Sequence, residues 1–252
     1  MTTGPITIRP ITPLIGAEIE GIDLSQPLDN ASFSDLHQAW MRHQVLFFRD
    51  QKLDPASLQA LGRRLGTLHV HPQGDMEGFE GILKIHTDRN SKTYAGRKWH
   101  ADVTCDTEPP TGSILHLHDV PEYGGDTLFA NCSKAYDSLS DGMKATLSTL
   151  RAVHSSRHVF GNATGYSDAL NGRLGNGDDA TQDAVHPVIV KHPLSGRPTL
   201  YVNAAFTLRF EGWTDQESKP LLDYLYAHIG RPEHSYRFQW GKGSMAFWDN
   251  RA

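Results

Sequence analysis

The segment WHADVT, residues 99–104, contains the residues whose types and spacing point most directly to chemistry. His100 and Asp102 lie two positions apart, so in an extended segment both side chains point to the same side. An imidazole and a carboxylate that face one point provide two ligands of the 2-His-1-carboxylate site, which binds Fe(II) and leaves positions open for substrate and O₂. We therefore take His100 and Asp102 as candidate metal ligands.

The same spacing occurs elsewhere in the chain, so spacing alone does not identify a site. The chain has 14 histidines, and a second His-x-Asp pair, His86 and Asp88, ends an apolar stretch and runs into a polar segment. We interpret this second pair as a surface feature, because short motif matches carry a large false-positive risk. The context of His100 therefore decides its interpretation.

Two further histidine pairs offer alternative metal sites. His69 and His71 would share one side of an extended segment, as in a cupin, but no suitably spaced Glu and third His complete that pattern. His116 and His118 loosely match the H-x-H-x-D of metallohydrolases, yet they lie in an apolar run, and we interpret them as structural. A cupin-like or metallohydrolase-type metal enzyme therefore stays open as an alternative function.

The composition argues against several classes of partner and compartment. A formal net charge of −5 with no run of basic residues argues against nucleic acid, so any anionic substrate must meet local positive charge. No apolar run approaches the about 20 residues of a membrane span. Cys105 and Cys132 lack the spacing of a metal site, and together with the absence of an apolar N-terminal segment they indicate a reduced, cytoplasmic protein.

Short strands dominate the predicted secondary structure. Alternating apolar residues and turn residues predict strands at about 7–11, 16–24, 45–49, 82–86, 114–120, 127–130, 184–191, 199–203, 236–240 and 245–248. Periodicity and capping residues predict helices at about 32–43 (capped by Ser32 or Ser34), 55–65 (after Asp54), 139–153 (after Ser138 or Ser140) and 214–229 (from a capping box at Thr214). This pattern favours a single α+β, mainly β domain over 1–252, a double-stranded β-helix (jelly roll) with flanking helices. The polar, Gly- and Asp-rich segment at about 160–184 is expected to be a mobile lid loop.

Several segments, in order along nearly the whole chain, resemble one known family. They are GAEIEGIDL (16–24), VLFFR (45–49), WHADVT (99–104), PPTGSIL (109–115), GGDTLFAN (124–131) and FWDNRA (247–252). As an ordered set they resemble the Fe(II)- and 2-oxoglutarate-dependent dioxygenases of the taurine dioxygenase (TauD/TfdA) type. The resemblance implies an enzyme that hydroxylates a small anionic substrate with O₂ and releases succinate and CO₂.

The resemblance also implies roles for individual residues. It makes His100 and Asp102 ligands of Fe(II), and it places Thr127 against a carboxylate of 2-oxoglutarate, to which a hydroxyl can donate. His71 falls where the family contacts the anionic head of the substrate. The residues expected to line the substrate pocket are Val103, Phe160 and Phe206. Because family members usually assemble, we expect a dimer or tetramer.

The chain departs from the family pattern in two respects. The family's third iron ligand is a His a few residues beyond the FWDNR segment, and the Arg residues that bind 2-oxoglutarate and the substrate anion lie further on. The given sequence stops at Ala252. We therefore expect these residues, and the C-terminal part of the jelly roll, to lie beyond Ala252, and we expect the 252-residue chain to bind iron weakly.

The second departure concerns the substrate, since Gly74 and Gly96 stand where taurine-selective members carry polar side chains. Glycine opens space there, which favours a bulkier acid such as an alkyl sulfate, a larger sulfonate or an aryloxy acid.

A catalytically inactive jelly-roll binding protein is the remaining alternative. Strict dependence of turnover on 2-oxoglutarate and O₂ separates a dioxygenase from a hydrolase or a cupin-like enzyme. Release of succinate separates it from an inactive binding protein.

Overall fold

The structure is a computed structural model that describes residues 6–70, 75–88, 91, 96–160 and 182–252. Its strands are β1 (Thr7–Pro10), β2 (Ala17–Glu20), β3 (Val45–Phe48), β4 (Gly112–His116), β5 (Thr127–Ala130), β6 (Arg151–Ser155), β7 (Asp183–Pro187), β8 (Ile189–Lys191), β9 (Pro198–Leu200), β10 (Thr207–Phe210), β11 (Ser235–Phe238) and β12 (Met245–Asp249). Its helices are α1 (Asn30–His43), α2 (Pro55–Leu65), α3 (Cys132–Asp137), α4 (Asp141–Leu147), α5 (Arg157–Phe160) and α6 (Asp215–Ile229), with a 3₁₀ turn at Pro232–His234. None of the helices described here is long and apolar enough to cross a membrane.

A five-stranded sheet in the order β1-β2-β3-β12-β4 organises the described chain. β2 and β3 run parallel, and the other neighbours run antiparallel. β3 is buried along its whole length, as its unbroken apolar sequence predicts. β12 lies between β3 and β4, with Trp248 opposite both Val45 and Ser113. The residues that follow β12 therefore meet the start of β4.

Apolar side chains cover both faces of this sheet. On one face α1 packs against β12, and the rings of Trp40 and Phe247 lie 4.2 Å apart between centroids. On the other face Phe47 stacks on Phe238 at 4.0 Å, which joins the sheet to the β5-β11 pair. The other described strands form a β10-β6-β7 sheet and a β8-β9 pair. The described chain is thus a mixed structure of sheets with flanking helices.

Capping residues fix the starts of α1, α2 and α6. As predicted, α2 begins after Asp54, and α6 begins with a capping box at Thr214. α1 starts earlier than predicted, because Asp29, and not Ser32 or Ser34, is its N-cap. The Asp29 carboxylate accepts the Ser32 backbone N–H at 2.8 Å, and its negative charge favours the positive end of the helix dipole.

The helix predicted over 139–153 was wrong in its second half. The helix that forms, α4, ends at Leu147, and the chain then enters β6. β6 pairs with both β7 and β10, so Ala152 and His154 are buried by the sheet. Apolar spacing alone did not separate a short helix from the strand that follows it. α3 and β10 were not predicted.

Two predicted strands also differ from the structure. The strand predicted at 82–86 is irregular. The strand predicted at 184–191 is divided into β7 and β8, because Val188 donates its backbone N–H to the Leu150 carbonyl at 3.0 Å. Most of the candidate lid at about 160–184 lies outside the described residues.

Candidate active site

His100 and Asp102 face each other in the structure. Nε2 of His100 lies 3.4 Å from Oδ1 of Asp102, and 34% and 28% of the two side chains stay exposed. Two ligand atoms bound to one ion at about 2.1 Å and at right angles lie about 3 Å apart, so the pair fits adjacent positions on one metal ion. Nδ1 of His100 donates to the Lys98 carbonyl at 2.8 Å. This bond fixes the tautomer and leaves Nε2 as the nitrogen able to bind a metal.

These contacts also shift the pKa of His100. Burial of the ring lowers this pKa, but the hydrogen bond and negative charge of Asp102 and the Lys98 carbonyl outweigh burial and raise it above 6.5. Without a metal, the His100 ring therefore stays protonated up to a higher pH than a free imidazole does. A metal ion would replace the proton, because metal ligands must be deprotonated.

A turn, and not a strand, brings the two side chains together. Residues 102–105 are a turn, in which the Asp106 N–H donates to the Val103 carbonyl at 3.0 Å. Val103 has a φ of 49°, in the left-handed region that is unfavourable for a β-branched residue. Strand alternation was therefore the wrong reason for the common direction of His100 and Asp102.

Two histidines hold this turn from outside. Nε2 of His186 lies 3.0 Å from the carbonyl oxygens of both Thr104 and Asp106. Nε2 of His69 lies 2.7 Å from Oδ2 of Asp106. His69 is thus bound to the turn itself. His71, with which it was paired in the alternative metal site, lies outside the described residues.

Trp99 fixes the start of the segment against the end of α6. A Cβ added to Gly230 would lie 2.8 Å from Nε1 of Trp99, so the indole fills the space that the glycine leaves. Gly230 also ends α6, as the sequence predicts. The absence of a side chain at position 230 therefore lets the Trp99 indole pack against the end of α6.

We expect Gly230→Ala to lower turnover by about 10- to 100-fold, because displacement of Trp99 by a fraction of an ångström moves His100. The overpacking should also lower the free energy of unfolding by about 1–3 kcal/mol. Steady-state kinetics and urea denaturation measure the two effects. Gly142→Ala is the matched control, since a Cβ on Gly142 in α4 meets nothing within 4 Å. It should stabilise the protein by up to about 1 kcal/mol and leave turnover unchanged. Wild-type turnover of Gly230→Ala would contradict the role of Trp99.

A buried polar network lies behind the turn. Oγ1 of Thr104 accepts from Nδ2 of Asn203 at 3.0 Å and lies 2.9 Å from Nδ1 of His154. Oδ1 of Asn203 accepts the Phe206 backbone N–H at 2.9 Å. Burial and the nearby charge of His186 lower the pKa of His154 to about 3, so this ring stays neutral. The network fixes the Phe206 backbone to the turn that carries Asp102.

Val103 and Phe206, both predicted to line the substrate pocket, lie in one apolar cluster, to which the turn contributes Val103. The cluster that contains them consists of Val103, Cys105, Ala205 and Phe206, with Val159 packed against it. Val103 is 7% exposed and Phe206 is 4% exposed, so this side of the turn is apolar and excludes water. Phe160 ends α5, and its side chain lies outside what the structure describes.

Thr127 lies on a different pair of strands. It is the first residue of β5, opposite Phe238 of β11, and its Oγ1 accepts from Nε1 of Trp240 at 2.9 Å. Because the oxygen is used as an acceptor here, the hydroxyl hydrogen can be donated to a ligand. Phe129 lies two residues further along β5, and its ring centroid is 5.8 Å from that of Trp248. This contact joins the β5-β11 pair to β12.

Gly96 leaves space beside the His100 ring. Its φ is 79°, and a Cβ added to it would lie 3.7 Å from Cε1 of His100. The Cβ of a side chain at this position would therefore contact the imidazole. Gly74, the other glycine that the sequence singles out, lies outside the described residues.

The remaining histidine motifs have structural surroundings. Nε2 of His116 lies 3.0 Å from the Gln51 carbonyl oxygen, and its ring centroid lies 4.6 Å from that of His118. His86 and Asp88 are exposed in an irregular segment. Across the ranges that the structure describes, no group of three or more His, Cys, Asp or Glu could hold a metal ion. The candidate centre within them therefore consists of His100 and Asp102.

Two residues that the sequence analysis did not single out contact Asp102 directly. The hydroxyl of Ser113 donates to Oδ2 of Asp102, and Oδ1 of Asn250 accepts the Asp102 backbone N–H at 3.1 Å. Both residues lie within the segments PPTGSIL and FWDNRA, which carry the family resemblance. Their position within these segments was the only sequence signal that could have identified Ser113 and Asn250. Spacing could not connect them with Asp102, because the three residues are far apart in sequence.

The chain matches proteins of one family over nearly its whole length. The family model described as "Taurine catabolism dioxygenase TauD, TfdA family" matches residues 7–252. An alkylsulfatase of Acinetobacter baylyi is 33% identical over 254 residues, which cover 99% of this chain and 79% of that protein. An alpha-ketoglutarate-dependent sulfate ester dioxygenase of Pseudomonas putida is 32% identical over 251 residues, covering 98% of this chain and 82% of that protein. The crystal structure of a putative alpha-ketoglutarate-dependent taurine dioxygenase from Burkholderia xenovorans has a TM-score of 0.81 and 32% identity, covering 98% of this chain and 84% of that one.

Proposed function

This chain belongs to the taurine catabolism dioxygenase TauD, TfdA family, and from this premise we propose that it is an Fe(II)- and 2-oxoglutarate-dependent dioxygenase. Its reaction hydroxylates a C–H bond of a small anionic organic substrate. The observation that carries this proposal is the approach of His100 Nε2 to Asp102 Oδ1 at 3.4 Å, with the tautomer of His100 fixed by Lys98. An imidazole nitrogen and a carboxylate oxygen suit iron in this class of enzyme.

The described residues would divide the work as follows. His100 and Asp102 would hold the iron, and the Thr127 hydroxyl would donate to a carboxylate of 2-oxoglutarate. Bound iron, with 2-oxoglutarate and O₂, would supply the oxidising chemistry that converts a C–H bond of the substrate into C–OH, while 2-oxoglutarate is converted into succinate and CO₂.

The apolar side of the turn excludes water from the reacting carbon. Val103 and Phe206 provide this surface, and Phe160 is proposed to extend it. His71 remains our prediction for the contact with the substrate anion.

We propose an alkyl sulfate as the first substrate class to test, followed by larger sulfonates and aryloxy acids. The open space at Gly96, where a Cβ would meet the His100 ring, supports a substrate bulkier than taurine. The names of the two relatives, an alkylsulfatase and a sulfate ester dioxygenase, support the sulfate ester. Hydroxylation of the carbon that bears the sulfate oxygen gives an unstable product, which separates into an aldehyde and sulfate.

The proposal also covers the type of fold, the oligomeric state and the cellular location. We propose that the chain forms one jelly-roll domain, assembles as a dimer or tetramer, and functions in the cytoplasm without a nucleic-acid or membrane partner. The similarity to taurine dioxygenase structures supports the jelly roll.

The test is a succinate-release screen of the full-length protein against alkyl sulfates, sulfonates and aryloxyalkanoates. We expect succinate release only when Fe(II), 2-oxoglutarate, O₂ and an accepted substrate are all present. Substrate consumption without 2-oxoglutarate would support the cupin-like or metallohydrolase alternative. Absence of succinate release with every substrate would support an inactive binding protein.

A further inference from the structure

Asp102 is held by hydrogen bonds at both its side chain and its backbone. Ser113 donates its hydroxyl to Oδ2 of Asp102, while Oδ1 is the oxygen that lies 3.4 Å from Nε2 of His100. The backbone N–H of Asp102 donates to Oδ1 of Asn250 at 3.1 Å. The two oxygens of the carboxylate therefore have different surroundings.

The amide of Asn250 can be placed in only one orientation. Its Oδ1 accepts from Asp102 N–H and from Nε1 of Trp248, each at 3.1 Å, and both of these groups are pure donors. Its Nδ2 donates to Oγ of Ser113 at 3.0 Å and to the Pro110 carbonyl at 3.3 Å. Asn250 is 4% exposed, so exchange of its oxygen and nitrogen would leave buried groups without partners.

The orientation of Asn250 also fixes the direction of the Ser113 hydroxyl. Because Oγ of Ser113 accepts a hydrogen from Asn250 Nδ2, its own hydrogen is directed to Oδ2 of Asp102. The β4-β12 pairing, with Trp248 opposite Ser113, holds the hydroxyl and the amide at this spacing. The hydrogen bonds therefore run in one direction, from the Asn250 amide to the Ser113 hydroxyl and then to the Asp102 carboxylate.

We propose that Ser113 and Asn250 are positioning residues: the Ser113 hydroxyl, directed by the Asn250 amide, occupies Oδ2 of Asp102, so that the carboxylate would offer Oδ1 alone to the metal. The inference rests on the proposed function, because it takes Asp102 as a metal ligand. A carboxylate bound through one oxygen uses one metal position and keeps the others for 2-oxoglutarate and O₂. Loss of the Ser113 hydroxyl would let the carboxylate rotate, so that Oδ1 would no longer be held toward the metal.

The experiment measures Co(II) binding to the full-length protein by visible absorption, alongside steady-state kinetics. We expect Ser113→Ala to weaken Co(II) affinity by about 10- to 100-fold, as loss of a ligand's supporting partner does. Ser113→Thr keeps the hydroxyl and should restore affinity to near that of the wild type. Asn250→Asp replaces the donor by an acceptor that competes for the Ser113 hydrogen, and it should weaken Co(II) binding like Ser113→Ala. It provides the same test if Ser113→Ala does not fold.

Ser133→Ala is the matched control. Oγ of Ser133 is buried and lies 2.7 Å from Oγ1 of Thr199, so its removal also breaks a buried hydroxyl contact, but away from Asp102. It should leave Co(II) affinity unchanged. Two results would overturn the inference. One is a Co(II) affinity of Ser113→Ala within about twofold of that of the wild type, and the other is a loss of Co(II) affinity in Ser113→Thr or Ser133→Ala as large as that in Ser113→Ala. A Co(II) spectrum that does not respond to His100→Ala would overturn the metal site of the proposed function as well, which distinguishes the two failures.

Discussion

His100→Ala is expected to abolish succinate release, with a loss greater than the about 100-fold that removal of a supporting partner causes. The variant removes a proposed metal ligand, and the Nδ1 bond to Lys98 and the approach to Asp102 disappear with the ring. The ring is 34% exposed, so the free energy of unfolding should change by no more than about 1 kcal/mol. Turnover in saturating Fe(II) and 2-oxoglutarate, and urea denaturation, measure these two quantities.

His86→Ala is the control for this result. His86 belongs to the other His-x-Asp pair, but it is exposed in an irregular segment. Its replacement should leave turnover largely intact. Equal losses in the two variants, or retained turnover in His100→Ala, would refute the assignment of the metal site.

Asp249→Asn should have the largest effect on stability. The Asp249 side chain is 1% exposed, and it accepts hydrogen bonds from Arg251 at 2.7 and 2.8 Å and from Nε2 of His192 at 3.0 Å. Nδ1 of His192 accepts backbone N–H groups, so Nε2 carries the hydrogen that Asp249 receives. Asparagine keeps the shape but leaves the Arg251 charge without its partner, and the free energy of unfolding should fall by about 3–5 kcal/mol. Urea denaturation with an unchanged m-value measures this loss.

The exposed pair Lys219 and Asp223 provides a matched control. Nζ of Lys219 lies 2.6 Å from Oδ2 of Asp223, but the Lys219 side chain is 72% exposed and the Asp223 side chain is 58% exposed. Asp223→Asn should therefore change the free energy of unfolding by no more than about 0.5 kcal/mol. Equal effects at positions 249 and 223 would show that burial does not control the strength of these pairs.

The pH dependence of stability provides a second measurement on Asp249. Burial raises the pKa of this carboxyl, but the hydrogen bonds and charge of Arg251 and the bond from His192 outweigh burial and hold the pKa below 3.8. Ionised Asp249 therefore stabilises the fold above the unfolded-state pKa of about 3.9, and this contribution is lost as the pH falls through the lower folded-state pKa. Asp249→Asn should unfold with a weaker dependence on pH in the acid range.

Local sequence signals predicted the elements that form largely by themselves. The unbroken apolar run of β3, the Asp54 cap of α2 and the Thr214 capping box of α6 each act over a few residues, and each was confirmed. The same signals misassigned β6, because burial of that strand comes from its pairing with β7 and β10. A pairing between distant segments leaves no local pattern that distinguishes it from an apolar helix end.

The candidate site divides in the same way. The chemical types at positions 100 and 102 and the ordered family segments indicate the reaction class without the tertiary structure, because ligand chemistry and motif order are properties of the sequence itself. The tertiary structure decided how those groups are held: a turn strained at Val103 aims them, and Ser113 and Asn250, which are distant in sequence, fix the Asp102 carboxylate. Hydrogen bonds act over about 3 Å, and only packing of the folded chain brings distant residues within that distance.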